Sequence, residues 1–321
     1  MMLDLGLILA GIAMLTLGGE ALIRGAVAAA RRLRVSPLLS GLVIVGFGTS
    51  APELVVSVDA AAQAQPDIAM GNVVGSNIGN ILLILGLCAL ISPMSVQPLI
   101  FRRDGVIMVL SSVLLAVLIG GQGLSATDSI ILLGALASYL GIAYWSEKNH
   151  SSPASEVYAD EAKEIEVVPD AAWRIILFLV AGLALLLLGS QVLLKGAVGL
   201  AQHFAISEAV IGLTLVAVGT SLPELSVSLI AAMRRHADVA IGNVLGSNIF
   251  NILGILGVSA LLQPLPAHPR VLQFDLWVLL ASAFILLFFL FTGRRLSRLE
   301  GGTLLSGYIA YLILSFKVFG S

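Results

Sequence analysis

Charge is what this sequence has least of. Asp, Glu, Lys and Arg make up 11% of its 321 residues, whereas a soluble domain carries about 25%. A chain so poor in charge cannot clothe its own surface in water. A soluble fold is excluded, and the lipid bilayer is the expected main solvent. The charges present nearly cancel, 17 basic against 19 acidic for a net of −2, and no polybasic tract exists to hold a nucleic acid. Cysteine occurs once, as Cys88 in an apolar run. No intrachain disulfide is available, and a small buried hydrophobe is its expected role. The four histidines, His150, His203, His236 and His268, fall in loops or at the ends of apolar runs, so none serves as a proton relay at mid-span. Neither HExxH nor GxSxG occurs, which disfavours an intramembrane hydrolase. No enzymatic activity and no resident cofactor are expected. A basic n-region is lacking too. The first apolar run begins at Leu3 beside Asp4 and reads as a first span, not as a cleaved signal.

What fills the chain instead is hydrophobic sequence, 58% of it, with a mean hydropathy of +1.03. A helical span needs about 20 apolar residues. Charges, prolines and short polar clusters divide the chain into ten such segments: 3–29, 36–63, 67–92, 104–121, 124–146, 171–200, 207–233, 238–262, 271–292 and 301–319. The expected fold is an all-α polytopic membrane protein of ten transmembrane helices. Residues 1–146 and 171–321 form two five-helix halves, joined by 147–170. That linker carries seven acids and two bases. It reads as a flexible polar connection and lacks the spacing of an EF-hand. Ten spans put the connections alternately on two sides. Fourteen of the basic residues then lie on one side, among them Arg31, Arg32, Arg34, Arg102, Arg103, Arg234 and Arg235. Only Lys195, Arg270 and Lys317 lie on the other. The first side should be cytoplasmic. Both termini are then extracytoplasmic and the linker cytoplasmic, in the cell (inner) membrane.

The chain also repeats itself. Residues 41–86 align without a gap with 212–257 at an offset of 171, and 28 of the 46 positions are identical. Gly48-Thr49-Ser50-Ala51-Pro52-Glu53 matches Gly219-Thr220-Ser221-Leu222-Pro223-Glu224, and a GNxxGSNxxN run at 71–80 matches one at 242–251. Five spans precede the first span of the second copy, an odd number, so the copies cross the membrane in opposite senses. The charges agree. Arg31-Arg32-Leu33-Arg34 before the first copy corresponds to Gln202-His203-Phe204-Ala205, and Gln63-Ala64-Gln65 within it corresponds to Arg234-Arg235-His236. Two inverted repeats with Gly- and Pro-interrupted polar helices are the usual build of a secondary transporter, with its site near the midplane.

Glu53 and Glu224 lie near the middle of their spans, where an ionised carboxylate costs a few kcal/mol. No Lys or Arg lies at that depth to pair with them. Two carboxylates meeting there would draw a cation from solution; the alternative is a protonated pair bonded to each other. Their neighbours are oxygen-rich. Thr49, Ser50, Glu53 and Ser57 share a broad helical face, as do Thr220, Ser221, Glu224 and Ser228. Asn72, Ser76 and Asn80, and likewise Asn243, Ser247 and Asn251, follow i, i+4, i+8 spacing. Pro52 and Pro223 leave the carbonyls of Gly48 and Gly219 without a helical donor, and irregular backbone at this depth is tolerated where it lines a cavity. Carboxylate, hydroxyl, amide and carbonyl oxygens are hard ligands suited to Ca²⁺ or Na⁺. For Asn72, Asn243, Ser57 and Ser228, plain interhelical hydrogen bonding is an equal reading. For Asn77 and Asn248, which point off the stripe, it is the preferred one.

On these paired GTSxPE and GNxxGSNxxN motifs the sequence resembles the sodium/calcium exchanger family, among the calcium/cation antiporters. The resemblance covers both repeats closely and the ten-span layout overall. It implies exchange of Ca²⁺ for Na⁺ by alternating access. By motif, Glu53 and Glu224 match central Ca²⁺ ligands, and Thr49 and Thr220 match ligands that use backbone carbonyls. Ser50, Ser221, Ser76 and Ser247 match Na⁺-site residues, as do the backbone positions of Gly46 and Ala217. Asn80 and Asn251 match a central amide or acid pair. Some relatives, including potassium-dependent ones, carry Asp at the position of Asn251. Asn in both copies argues against K⁺ co-transport and leaves two central carboxylates. The proton-coupled branch typically has an acid in its second motif where this chain has Ser76 and Ser247, which favours Na⁺ over H⁺. Ca²⁺/H⁺ or K⁺-dependent exchange is the alternative, and a passive cation channel a weaker one. The resemblance also implies that spans 1 and 6 slide across the core to switch access. The expected partners are Ca²⁺, Na⁺ and the bilayer. The oligomeric state stays open, a monomer included.

Other charges read as structural. Glu20 and Arg24 form an i, i+4 ion pair, Asp67 and Asp238 are helix N-caps, and Asp59 is a span-end charge.

Overall fold

The computed structural model describes residues 2–33, 39, 41–96, 100–120, 123–149, 171–203, 219–293 and 295–319. The expected linker, from 150 onward, and the first part of the seventh expected span lie outside them. Helices occupy all ten expected segments as far as these are described. In chain order they are α1 (Met2–Leu33), α2 (Gly41–Thr49), α3 (Ala51–Ala62), α4 (Pro66–Ile91), α5 (Val106–Ile119), α6 (Ala126–Asn149), α7 (Ala172–His203), α8 (Leu222–Met233), α9 (Ala237–Leu262), α10 (Val271–Thr292) and α11 (Arg298–Phe319). Among the described residues six helices are long and apolar enough to cross a membrane. These are α1, α4, α7, α9, α10 and the Ala126–Ser146 stretch of α6. The pair α2 and α3, bent by 49°, makes a seventh when counted as one span.

Burial sorts these helices into a centre and a periphery. In their apolar stretches, α4 and α9 are 72% and 83% buried, whereas α1, α7 and α6 are 33%, 28% and 22% buried. The centre is therefore the second motif of each repeat. The outer helices turn Leu9, Leu17, Trp145, Ile176 and Leu177 outward, as a bilayer solvent permits.

The sequence repeat returns as a repeat of contacts. Strand β1 (Met94–Ser95) pairs antiparallel with β2 (Arg295–Leu296), Ser95 opposite Arg295. Leu124 bridges to Leu265 in the same way, and the offset of 171 relates one pairing to the other to within one residue of register. π-helical turns begin at Asn80 and Asn251, and again at Ile100 and Val271, also at that offset. A π-turn is rare and concentrates at functional sites. Here one starts on each asparagine of the central pair.

The hairpins α3–α4 and α8–α9 turn alike. Gln65 N–H donates to Ala60 O at 2.8 Å and Ala64 N–H to Ala61 O at 3.0 Å. His236 and Arg235 do the same to Ala231 and Ala232, at 2.8 and 3.1 Å. This is a Schellman ending, whose left-handed residue is usually glycine. Here it is Ala64 (φ 55°) and Arg235 (φ 60°). Such a turn starts the next helix at once, at Pro66 and at Ala237. Asp67 and Asp238 are consequently not N-caps. Gln65 and His236 hold the cap positions with no side-chain cap bond, and the two aspartates sit in the first helical turn, where a negative charge still suits the helix dipole.

Helices α1 and α7 lie antiparallel with their main chains in contact. Glycines at 11, 18 and 25, and at 182, 189 and 196, recur every seven residues. A Cβ added to Gly182 would stand 2.6 Å from Leu22 N and 2.9 Å from Gly18 O. Absence of side chains at such a stripe lets helix backbones approach. The expected Glu20–Arg24 pair is present at 2.7 Å, and Glu20 also holds Arg234, at the end of α8, at 2.8 Å.

Candidate functional site

Each repeat breaks one helix and aims the broken end at the centre. The backbone leaves helical geometry at Ser50 (ψ 9°) and Ser221 (ψ 9°), and new helices start at Ala51 and Leu222. Proline explains the place. Pro52 and Pro223 lack an N–H and fit only the first turn of a helix, where that donor is unpaired anyway. Glu53 and Glu224 follow in the same first turn, at the positive end of the helix dipole.

Both carboxyl groups are buried. Each accepts a hydrogen bond from the serine of the opposite repeat: Ser50 Oγ donates to Glu224 Oε1 at 2.9 Å, and Ser221 Oγ to Glu53 Oε1 at 3.2 Å. The two motifs thus interlock at one place. Thr220 lies against Glu53, and Thr49 and Ser247 lie against Glu224. Behind each glutamate an asparagine fixes the new helix. Asn72 Nδ2 donates to Glu53 O (3.1 Å) and Ser57 Oγ (2.9 Å), and Asn243 Nδ2 to Glu224 O (3.2 Å) and Ser228 Oγ (2.8 Å). Interhelical hydrogen bonding is thus what these four residues do. Thr49 Oγ1 lies within reach of Asn243 Oδ1 (3.1 Å) and Gly46 O (3.3 Å), and Gly46 O also accepts from Ser247 Oγ at 3.0 Å. Ser76 is buried on α4 where Ser247 stands on α9. Ala217 lies outside the described residues. The carbonyl of Gly219, expected to lack a donor, accepts from Ser190 Oγ of α7 at 2.6 Å.

Asn80 and Asn251 face each other's repeats through a second asparagine pair. Asn80 Nδ2 donates to Asn248 Oδ1 at 3.2 Å, and Asn251 Nδ2 to Asn77 Oδ1 at 3.0 Å. Asn77 and Asn248 therefore do not point away from the polar centre; each stands three residues before the asparagine of the central pair, on a neighbouring helix position, and accepts from the asparagine of the opposite repeat.

Four oxygens of this cluster are buried without any hydrogen-bond donor: Glu53 Oε2, Glu224 Oε2, Asn80 Oδ1 and Asn251 Oδ1. Neither carboxyl bonds the other. A buried acceptor left unpaired costs about 1–3 kcal/mol, and here four come in symmetry-related pairs. None of the ion pairs among the described residues includes Glu53 or Glu224. No three His, Cys, Asp or Glu side chains gather among those residues. The centre is two carboxylates among neutral oxygens, a hard and weakly charged set fitting a cation that must also leave.

Two buried clusters escaped the sequence reading. Asp104 accepts from Arg103 (2.8 Å) and from Tyr139 Oη (2.9 Å), and Asp275 accepts from Arg270 (3.1 Å) and Tyr311 Oη (3.0 Å). Each clamps the fourth expected span of its half to the fifth. The signal was available, since Asp104 and Asp275 keep the offset of 171, but they lie beyond the gapless block.

The chain also has relatives among known proteins. The profile of the family described as "Sodium/calcium exchanger protein" matches residues 3–145 and 174–317. The chain is 39% identical to the putative antiporter CaxA of Alkalimonas amylolytica over 97% of this chain and 98% of that one. It is 35% identical to the inner membrane protein YrbG of Escherichia coli, over 98% and 97%. Among solved structures it superposes on the sodium-calcium exchanger NCX_Mj with a TM-score of 0.83 at 33% identity, covering 97% of this chain and 98% of the other.

Proposed function

Because this chain belongs to the sodium/calcium exchanger family, we propose that the oxygens around Glu53 and Glu224 bind Ca²⁺ and Na⁺ in alternation and that the chain exchanges the two. It is a multi-pass membrane cation antiporter, not an enzyme. The observation that carries the ionic reading is the set of four buried, donorless oxygens, two from carboxylates and two from amides.

In this reading Glu53 and Glu224 are the central Ca²⁺ ligands, with the carboxamide oxygens of Asn80 and Asn251 beside them and the carbonyls of Thr49 and Thr220 completing the shell. Ser50, Ser221, Ser76 and Ser247, with the carbonyls of Gly46 and Ala217, hold Na⁺. Ca²⁺ takes 6–8 oxygens, which this set supplies. The ten spans form two inverted five-span repeats with both termini outside and 147–170 in the cytoplasm. The paired contacts at an offset of 171 and the one-sided arginines support that arrangement. Na⁺ is favoured over H⁺ as the coupling ion because both second motifs carry serine, Ser76 and Ser247, where an acid would take up a proton.

The test is ⁴⁵Ca²⁺ uptake into vesicles reconstituted with the purified chain, under Na⁺, K⁺ and pH gradients applied separately. Uptake should follow the Na⁺ gradient alone, and Glu53→Gln or Glu224→Gln should abolish it. Uptake driven by a pH gradient without Na⁺ makes the chain a proton-coupled exchanger. Flux that survives either substitution removes the site from the glutamates.

A further inference from the structure

Asn77 and Asn248 lie outside the proposed ligand set, yet both are fully enclosed and both bond a residue inside it. A carboxamide offers an oxygen on one side and an NH₂ on the other, and its bonding network decides which faces where. The network here has a fixed polarity. Asn77 Nδ2 donates to the backbone carbonyl of Asn248 at 3.1 Å. A carbonyl only accepts, so the other side of the Asn77 amide must be its oxygen, and that oxygen takes the Nδ2 proton of Asn251. The Asn251 amide is thereby fixed with its Oδ1 on the side away from Asn77, buried and without a donor. The other branch ends differently. Asn248 Nδ2 points at Met108 Sδ at 3.7 Å. A thioether also only accepts, though weakly. The Asn248 oxygen then takes the Nδ2 proton of Asn80, and Asn80 Oδ1 is left buried without a donor. Each amide of the central pair thus keeps one oxygen free of any donor.

Resting on the proposed cation site, we infer that Asn77 and Asn248 are positioning residues that hold Asn80 and Asn251 with oxygen, not NH₂, toward the cation, and that Met108 sets the second of these orientations. Reversal of Asn248 would bring its NH₂ against that of Asn80. Asn80 would have to turn with it and present hydrogens to a cation. The Asn77 branch is anchored on a carbonyl and the Asn248 branch on a sulfur, so Asn80 is the softer of the two amide ligands.

The experiment is equilibrium ⁴⁵Ca²⁺ binding to the purified full chain without Na⁺, run as a double-mutant cycle, with thermal unfolding of the apo protein as the control for folding. Loss of a group that orients a metal ligand typically weakens metal binding about 10–100-fold, and Asn248→Leu should fall in that range. In an Asn80→Ala background the same substitution should change affinity by less than about two-fold, since the amide it orients is gone. Met108→Leu preserves volume and should weaken binding about two- to ten-fold, again only while Asn80 is present. It replaces Asn248→Leu in the cycle should that variant fail to fold. Effects that multiply in the double variant, or an unchanged affinity in Asn248→Leu and Met108→Leu while Asn80→Ala weakens binding, overturn the positioning role. An unchanged affinity in Asn80→Ala itself removes Asn80 from the site and overturns the proposed ligand set as well.

Discussion

Ser50 and Ser221 each stand three residues before a glutamate and bond the glutamate of the other repeat. Residue types and spacing announced the hydroxyls but could not announce the exchange, because it depends on two helix ends meeting from opposite sides. Ser50→Ala removes the donor to Glu224 and one proposed Na⁺ oxygen. A hydrogen bond to a buried group is worth about 0.5–1.5 kcal/mol. The Na⁺ concentration giving half-maximal ⁴⁵Ca²⁺ efflux should therefore rise about two- to ten-fold, and Ser221→Ala should behave alike. Glu53 and Glu224 were legible as singular because charge is so scarce elsewhere. The roles of Asn77 and Asn248 were not, because helical spacing taken from Asn72 or Asn243 leaves them off the stripe, and their bonds run to the opposite repeat, whose approach local spacing does not show.

At the scale of elements, boundaries set by proline were readable and boundaries set by turn geometry were not. The run 36–63 reads as one span, and the 49° bend within it follows from a proline two residues into a new helix. The Schellman endings displaced the expected caps at Asp67 and Asp238 because Ala64 and Arg235 adopt a conformation their side chains disfavour. Ala64→Gly relieves about 1–2 kcal/mol of left-handed strain, less about 0.5–1 kcal/mol of added chain entropy. The thermal midpoint in detergent should rise slightly, whereas Ala60→Gly, inside α3, should lower it. Gly182→Val is the opposite case. Its Cβ would meet main-chain atoms of α1 that have no rotamer to move. Overpacking typically costs about 1–3 kcal/mol, so folded yield and thermal midpoint should both drop.

For the molecule as a whole, the count of charges at the centre bears on energetics. Two carboxylates neutralise one Ca²⁺ or two Na⁺. If three Na⁺ exchange for one Ca²⁺, one net charge crosses per cycle, and moving it against 100 mV is worth about 2.3 kcal/mol. Na⁺-driven Ca²⁺ uptake into vesicles clamped with K⁺ and valinomycin should then change with the imposed potential. Flux indifferent to voltage would indicate an electroneutral two-for-one exchange. An all-helical chain of several membrane-length spans was legible from the hydrophobic runs, and the internal repeat from its paired motifs. The clamps at Asp104 and Asp275 were signalled only by their shared offset of 171 beyond the gapless block, since a charge paired inside the protein looks the same in sequence as an exposed charge at a span end.

The seam between α1 and α7 has one more implication. Their backbones touch along glycines spaced every two turns, which packs the two helices closely against each other. If this pair is what travels when access switches, uncovering one mouth and covering the other are a single displacement of a single rigid body. Tight coupling then needs no timing between separate gates. A shortcut that lets Na⁺ run down its gradient without moving Ca²⁺ would require α1 and α7 to come apart.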